Sequence, residues 1–359
     1  MNEQERAGER LLPEVATGER KLEHVRLCLE ENVAGEGVTS GMERFAFRHH
    51  PLPELDFEEV HLETSFIGKK VRTPLLISSM TGGSKTTGAI NERLARVANA
   101  RGWALGVGSI RAAVEQPELA STFDVRRWAP DIPVIANLGA VQLNYGFTTA
   151  DFQRAVDIAG ADMLVLHLNT LQEVFQPEGN TNFAGLFQRI ENLCRELDVP
   201  VGVKEVGFGI DGVTAQRLYE AGVAFIDVAG AGGTSWVQVE KYRNNNPVRR
   251  AAAEAFADWG IPTAECIQEV RALNPTGALI GSGGLHTGVD AAKALALGAD
   301  LAGFGRSLLE SAVASDDALN ERLEQVEFEL RTVMFGIGAG RIEDLKQTER
   351  LVERRQVKF

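Results

Sequence analysis

The sequence lacks the features that mark several large classes of protein. Only three of its 359 residues are cysteine, and Cys28, Cys194 and Cys266 are odd in number, far apart and without CxxC spacing. That pattern supports neither a disulfide framework nor a zinc site. It fits a reducing compartment, with the three thiols read as small buried hydrophobes. Positive charge is also scarce. With 37 Lys and Arg against 50 Asp and Glu, the net charge is −13, which repels nucleic acid and anionic membrane surfaces. No apolar run approaches the roughly 18 residues of a membrane span, and the start MNEQERAGERLLPEVATGERK is charged throughout, so a soluble, cytoplasmic protein is expected. GxSxG, HExxH and a P-loop lysine are missing too, so side chains alone do not account for difficult chemistry and a cofactor is expected to supply it.

Glycine is in excess: 37 residues, roughly 10% of the chain against an average near 7%. Residues 1–19 carry many charges and few large apolar groups, and read as a mobile arm. From about residue 70, β-rich runs alternate with helical stretches. The runs are PLLISS (74–79), WALGVG (103–108), IPVIANL (132–138), MLVLHL (163–168), VPVGVK (199–204), VAFIDVAG (223–230), GALIGSGG (277–284) and ADLAGFG (299–305). Each is nearly continuous in apolar residues, as parallel strands covered on both faces are. Between them, Ile90, Leu94, Val97 and Ala98, then Phe152, Val156 and Ala159, recur at helical spacing. Eight such units favour a single closed (β/α)8 TIM barrel over an open doubly wound sheet, although periodicity does not prove closure. The expected domain is residues 20–359, with an N-terminal extension (20–70) and a C-terminal helical segment (315–359). The stripe Leu319, Leu323, Val326, Leu330 and Val333 in that segment suits a cap on the barrel or a subunit contact.

Polar and glycine-rich clusters follow the strand runs, and in a barrel they share the C-terminal rim where active sites are built. GSGGLH after the seventh run and GFGR after the eighth fit a phosphate site, the alternative for GSGG being an ordinary tight turn. Lys204 ends an apolar run and needs an anionic partner, either a flavin's pyrimidine edge or Glu205 in a surface ion pair. In HLNTLQE, His167 and Asn169 share a face, Gln172 follows, and Glu173 offers one carboxylate to Mg²⁺. Arg20, Lys21, His24 and Arg111 would clamp a diphosphate if they converge; otherwise Arg20 and Lys21 read as a solvated helix face. Trp236 walls a pocket or simply packs.

RKLEH, SSMTGG, GVGSIR, ANLGAVQL, HLNTLQEVFQPEGN, VKEVGFGI, DVAGAGGTSW and GSGGLHTGVDAAKALALGAD together resemble the type 2 isopentenyl diphosphate isomerases, in order, from about Arg20 to the C-terminal helix. The resemblance implies an FMN-dependent (β/α)8 enzyme that interconverts isopentenyl and dimethylallyl diphosphate by a 1,3-proton shift. It further implies reduced FMN, Mg²⁺ and NADPH as reductant, and a homo-oligomer (tetramer or octamer). It places Ser79, Met80, Thr81 and Gly82 along the flavin, with Ser109, Asn137, Lys204 and Thr234. Gly283, Gly284, Leu285, His286, Gly305 and Arg306 then hold its phosphate. Arg20, Lys21, His24, Ser109, Ile110, Arg111, His167, Asn169 and Trp236 become the substrate set, Gln172 and His167 the catalytic candidates, and Glu173 the Mg²⁺ ligand. Two positions depart from the family pattern: GSQR reads GSIR, so Ile110 brings no amide, and GGIR reads GGLH, so His286 replaces a permanent cation. The competing activities are a flavin-barrel dehydrogenase or oxidase of a hydroxy acid or dihydropyrimidine, and a non-catalytic phosphate-binding barrel.

Overall fold

The computed structural model describes residues 14–354. Eight parallel strands close on themselves: β1 (Leu75–Ile77), β2 (Ala104–Gly106), β3 (Val134–Gly139), β4 (Met163–His167), β5 (Val201–Lys204), β6 (Phe225–Asp227), β7 (Ala278–Ser282) and β8 (Leu301–Phe304), with β8 pairing back onto β1. Each lies within one of the eight apolar runs, except that β3 runs on by one residue to Gly139. The runs are apolar on both faces because each face is covered. Leu76, Ile135, Met163, Val165, Phe225, Ile280 and Leu301 fill the barrel, while Leu75, Ile77, Val134, Ala136, Leu164 and Leu166 pack outward under the helices. The antiparallel hairpin Thr64–Phe66 and Lys69–Val71 plugs the bottom, where Phe66 meets Phe225 edge to face at 5.6 Å.

At the other end, register decides what reaches the rim. Gly139 is paired with His167, His167 with Lys204, and Lys204 with Asp227, so one hydrogen-bonded row carries the imidazole, the amine and the carboxylate. The helix Glu14–Glu30 lies across this rim and packs Leu27 against Val239 and Trp236. Residues 14–19 of the expected arm are therefore the start of that helix, whereas 1–13 lie outside the described residues.

The C-terminal stripe packs against the barrel's own helices. The helix Asp316–Ile337 is the barrel's own eighth helix, packed between Gly288–Ala296 and Lys85–Arg101, with Leu319, Leu323, Val326, Leu330 and Met334 fully buried. Gly288 permits that approach, since a Cβ there would fall 2.2 Å from the Val326 carbonyl oxygen. The stripe is thus largely buried within the chain's own barrel. The thiols also differ from expectation: only Cys266 is buried, and Cys28 faces the rim cavity.

Candidate active site

A cavity of about 250 Å³ opens at the C-terminal rim between the strand ends and the N-terminal helix. It gathers nearly every residue singled out in the sequence, from Arg20, Lys21 and His24 on the helix to Gly305 and Arg306 after β8. Gly82 and Ile110 do not line it. Gly82 faces the helix layer, where a Cβ would fall 2.2 Å from the Phe123 ring. Ile110 is fully buried in the core, and its N–H donates to the Asn137 carbonyl at 2.9 Å, so it ties the β2 loop to β3 rather than meeting a ligand.

One wall is made of strand ends and glycine loops. Gly283 (φ 107°) and Gly284 (φ 64°) take left-handed conformations, and Cβ atoms there would fall 2.2 and 2.5 Å from the carbonyl oxygens of Gly230 and Gly232. The loops after β6 and β7 therefore touch backbone to backbone, which only glycine permits. Ser79, Met80, Ser109, Asn137, Thr234 and Leu285 complete this wall. The hydroxyls of Ser78 and Thr81 are buried here with no hydrogen-bond partner among the described residues, as expected of groups shaped for a polar ligand. These orphaned hydroxyls and the glycine cradle fit the flavin implied by the sequence.

The phosphate end differs from the expectation in one respect. The helix Gly288–Ala296 already spends its N-terminus, because Asp290 accepts from the N–H groups of His286 and Thr287, and Glu329 from that of Gly288. A phosphate is left with the Gly283–Gly284 and Gly305–Arg306 loops, where Gly305 has open space beside it. The His286 side chain is exposed.

Lys204 is buried, and its amine donates to the backbone carbonyl of Glu205, not to the carboxylate. The Glu205 carboxylate instead accepts from the N–H groups of Val206, Gly207 and Phe208 at 2.6–2.8 Å. Burial nevertheless pushes Glu205 up to about 7.

The opposite wall is cationic. Burial, then the neighbouring Arg20, pushes Lys21 down to about 8. Arg111 donates to Glu115 at 2.8 Å and to the Asn180 amide oxygen at 3.0 Å. His167 Nδ1 lies 2.8 Å from Asn137 Oδ1; an amide oxygen only accepts, so Nδ1 carries the proton and Nε2 keeps its lone pair. Burial first, then Lys204, Lys21 and Arg111, pushes His167 down to about 3, leaving the ring neutral.

Glu173 is held tightly. Its oxygens accept from Asn169 Nδ2 at 2.9 Å and from the Asn180 N–H at 2.5 Å. The loop can fold back this closely because residue 179 is glycine, where a Cβ would fall 1.8 Å from the Glu173 carbonyl oxygen. The amide oxygens of Asn169 and Gln142 are buried nearby and lack partners. A carboxylate with two spare amide oxygens suits a hard cation. No group of three or more His, Cys, Asp or Glu is placed to hold a metal among the described residues, so Mg²⁺ here would take other ligands from water and substrate.

Sequence reasoning missed the hub of this wall. Glu240 is fully buried and accepts from Gln172 Nε2 at 3.1 Å and from Arg243 at 2.6 Å, and pairs with His24 Nε2 at 3.1 Å. His24 meets Trp236 edge to face at 5.0 Å. With its other end receiving Asn169 Nδ2 at 3.2 Å, the Gln172 amide has a single orientation. The available signal was spacing: Glu240 follows Trp236 by four residues, on the same helix face.

A family model described as FMN-dependent dehydrogenase matches residues 134–352. The isopentenyl-diphosphate delta-isomerase of Oceanobacillus iheyensis is 51% identical over 338 residues, 94% of this chain and 97% of that protein. The enzyme of the same name from Nostoc sp. is 50% identical over 332 residues, covering 92% and 95%. Among solved structures, a mandelate oxidase variant with benzaldehyde superposes with a TM-score of 0.65 at 21% identity, covering 98% of this chain and 97% of that one, a likeness of fold alone. Identity near one half along almost the whole length, together with the flavin-barrel match over most of the rim, means that the chain belongs to the isopentenyl-diphosphate delta-isomerase family.

Proposed function

We propose that this protein interconverts isopentenyl and dimethylallyl diphosphate with reduced FMN in the rim cavity. The observation that carries the reading is that one cavity joins a glycine-lined polar bed to a wall of Arg20, Lys21 and Arg111, so a planar cofactor and a diphosphate would meet face to face. Reduced FMN, when bound, supplies the acid–base and electrostatic chemistry of the 1,3-proton shift, for which the chain itself offers no obvious base. Lys204, Asn137 and the hydroxyls of Ser78 and Thr81 would hold its ring, and the Gly283–Gly284 and Gly305–Arg306 loops its phosphate. Arg20, Lys21 and Arg111 anchor the diphosphate, and this remote binding energy orients the alkene. Gln172, fixed by Glu240 and Asn169, contacts the substrate near its reacting carbons. His167, neutral in the free protein with its Nδ1–H donating to Asn137, donates to the anion from Nε2 once it takes up a proton. Glu173 would hold Mg²⁺ against the diphosphate, NADPH would serve to reduce the flavin, and assembly into a homo-oligomer belongs to the same proposal.

The test is a ¹³C NMR assay of isopentenyl diphosphate with FMN, Mg²⁺ and NADPH, each left out in turn. Dimethylallyl diphosphate is expected only in the complete mixture. Stoichiometric oxidation of a hydroxy acid without isomer formation would overturn the reading.

A further inference from the structure

Asp227 is a carboxylate that the reading above leaves without a task. It ends β6 with only 3% of its surface exposed and lies beside Lys204 in the strand register. Both residues line a small void inside the barrel just under the rim cavity, together with Ser78 and Ser79. Lys204 also lines the cavity above, so its side chain links the bed to the barrel interior.

The surroundings of Asp227 are built to hold a negative charge. Its Oδ1 accepts from Ser282 Oγ at 2.5 Å, the length of a hydrogen bond to an ionised oxygen, and from the Ala229 N–H at 3.3 Å. The second donor is supplied at a cost in strain: Ala229 sits at φ 37°, a left-handed conformation that residues with a Cβ rarely adopt. Burial raises the Asp227 pKa above the ordinary carboxylate value, and the Lys204 ammonium, the Ser282 hydroxyl and the Ala229 N–H act against that rise. No direct ion pair joins the two among the described residues, so they act on each other through the field across the void.

We propose that Asp227 is a positioning residue for the cofactor, a buried counter-charge that tempers Lys204 and thereby sets how readily the bound flavin accepts electrons. The proposal rests on FMN occupying the bed with its ring beside Lys204. With Asp227 ionised, part of the ammonium's field is cancelled at the ring. Removing the carboxylate's charge leaves that field whole and favours the electron-rich reduced form.

The experiment is the two-electron midpoint potential of bound FMN in the full-length holoprotein, with Asp227→Asn as the near-isosteric change. The ratio of affinities for reduced over oxidised FMN is expected to rise at least tenfold, a positive shift of about 30 mV for a two-electron couple. Ser282→Ala removes the shortest donor to the carboxylate and so favours its protonation, and is expected to shift the potential in the same direction by less. It decides the matter if Asp227→Asn fails to fold. An unmoved midpoint in the folded variants, even with a lowered melting temperature, would mean a structural role only and overturn the proposal. A parent protein that takes up no FMN would overturn the cofactor reading, and this proposal with it. A parent that binds FMN while the variants leave the midpoint unmoved overturns this proposal alone.

Discussion

The two walls of the cavity are built by different means. The flavin bed is framed by backbone, with strand ends fixed by the barrel's hydrogen bonds, glycine loops in direct contact and short side chains rooted on them. The diphosphate wall is side chain: long cations from a helix and from loops, held by Arg20–Glu178 at 3.1 Å, Glu23–Arg243 at 2.9 Å and Glu240–Arg243 at 2.6 Å. Backbone placed by a closed sheet is already ordered before any ligand arrives. Arginine and lysine side chains must surrender rotamer freedom to hold a site and repel one another until an anion comes. Damage to the bed should therefore appear as lost cofactor and lost stability, and damage to the other wall as lost turnover with the flavin still bound.

The sharpest separation comes from Gly283→Ala. A methyl group 2.2 Å from the Gly230 carbonyl cannot be accommodated without moving the β6 loop, and φ 107° adds strain. A loss of about 3 kcal/mol and near-complete loss of FMN are expected, read by thermal melting and by flavin absorbance of the purified protein. Glu240→Gln tests the other wall. It turns one of the two accepting oxygens into a donor, so Gln172 and Arg243 cannot both keep their acceptor and the Gln172 amide loses its fixed orientation; kcat should fall about 100-fold with FMN content unchanged. Glu173→Gln should raise the Mg²⁺ concentration for half-maximal rate by about tenfold, again with FMN retained. If either of these variants loses its flavin, the two walls are not independent.

The contrast also explains what the sequence could reveal. The eight strands were legible because continuous apolar runs report burial on both faces, and the bed was legible because glycines and strand ends are local features. Closure of the sheet was not, since it depends on β8 meeting β1 across the whole fold. What Asp316–Ile337 packs against within the chain was illegible for the same reason: its stripe shows that it packs, not against what. Glu240, Asn180 and Gln142 escaped notice because their partners lie 68, 69 and 38 residues away in the chain. Ile110 and Gly82 stand beside motif residues in the sequence, but the Ile110 side chain and the position a Cβ would take at Gly82 point into the core.

The pH profile sharpens the comparison further, by a few-fold. Lys21 has its folded pKa lowered to about 8, so its protonated form is the disfavoured one. It therefore costs the folded state stability below about pH 8, and this cost fades as pH rises toward the ordinary lysine value near 10.4. A bound diphosphate reverses the preference and draws the proton back. In the free enzyme kcat/KM should accordingly fall as pH rises above about 8, and Lys21→Arg should flatten that limb, because arginine keeps its charge. His167, pushed down to about 3, should add no inflection between pH 5 and 8. A limb that persists in Lys21→Arg would assign it to another group.

The smallest effect probes the bed in the direction opposite to Gly283→Ala. Among the described residues, Ala229 is the one lining the cavity that carries a Cβ at positive φ, with 5% of its surface exposed. Glycine would relieve roughly 1–2 kcal/mol of left-handed strain. It would also lose about 0.8 kcal/mol of methyl burial and about 0.4–1 kcal/mol to the freer unfolded chain. These terms nearly cancel, so Ala229→Gly should leave stability within about 0.5 kcal/mol of the parent by chemical denaturation and should retain FMN. Adding one carbon to the bed at residue 283 thus breaks it, whereas removing one at residue 229 barely registers. A large loss of FMN in Ala229→Gly would mean that the methyl group itself supports the ring.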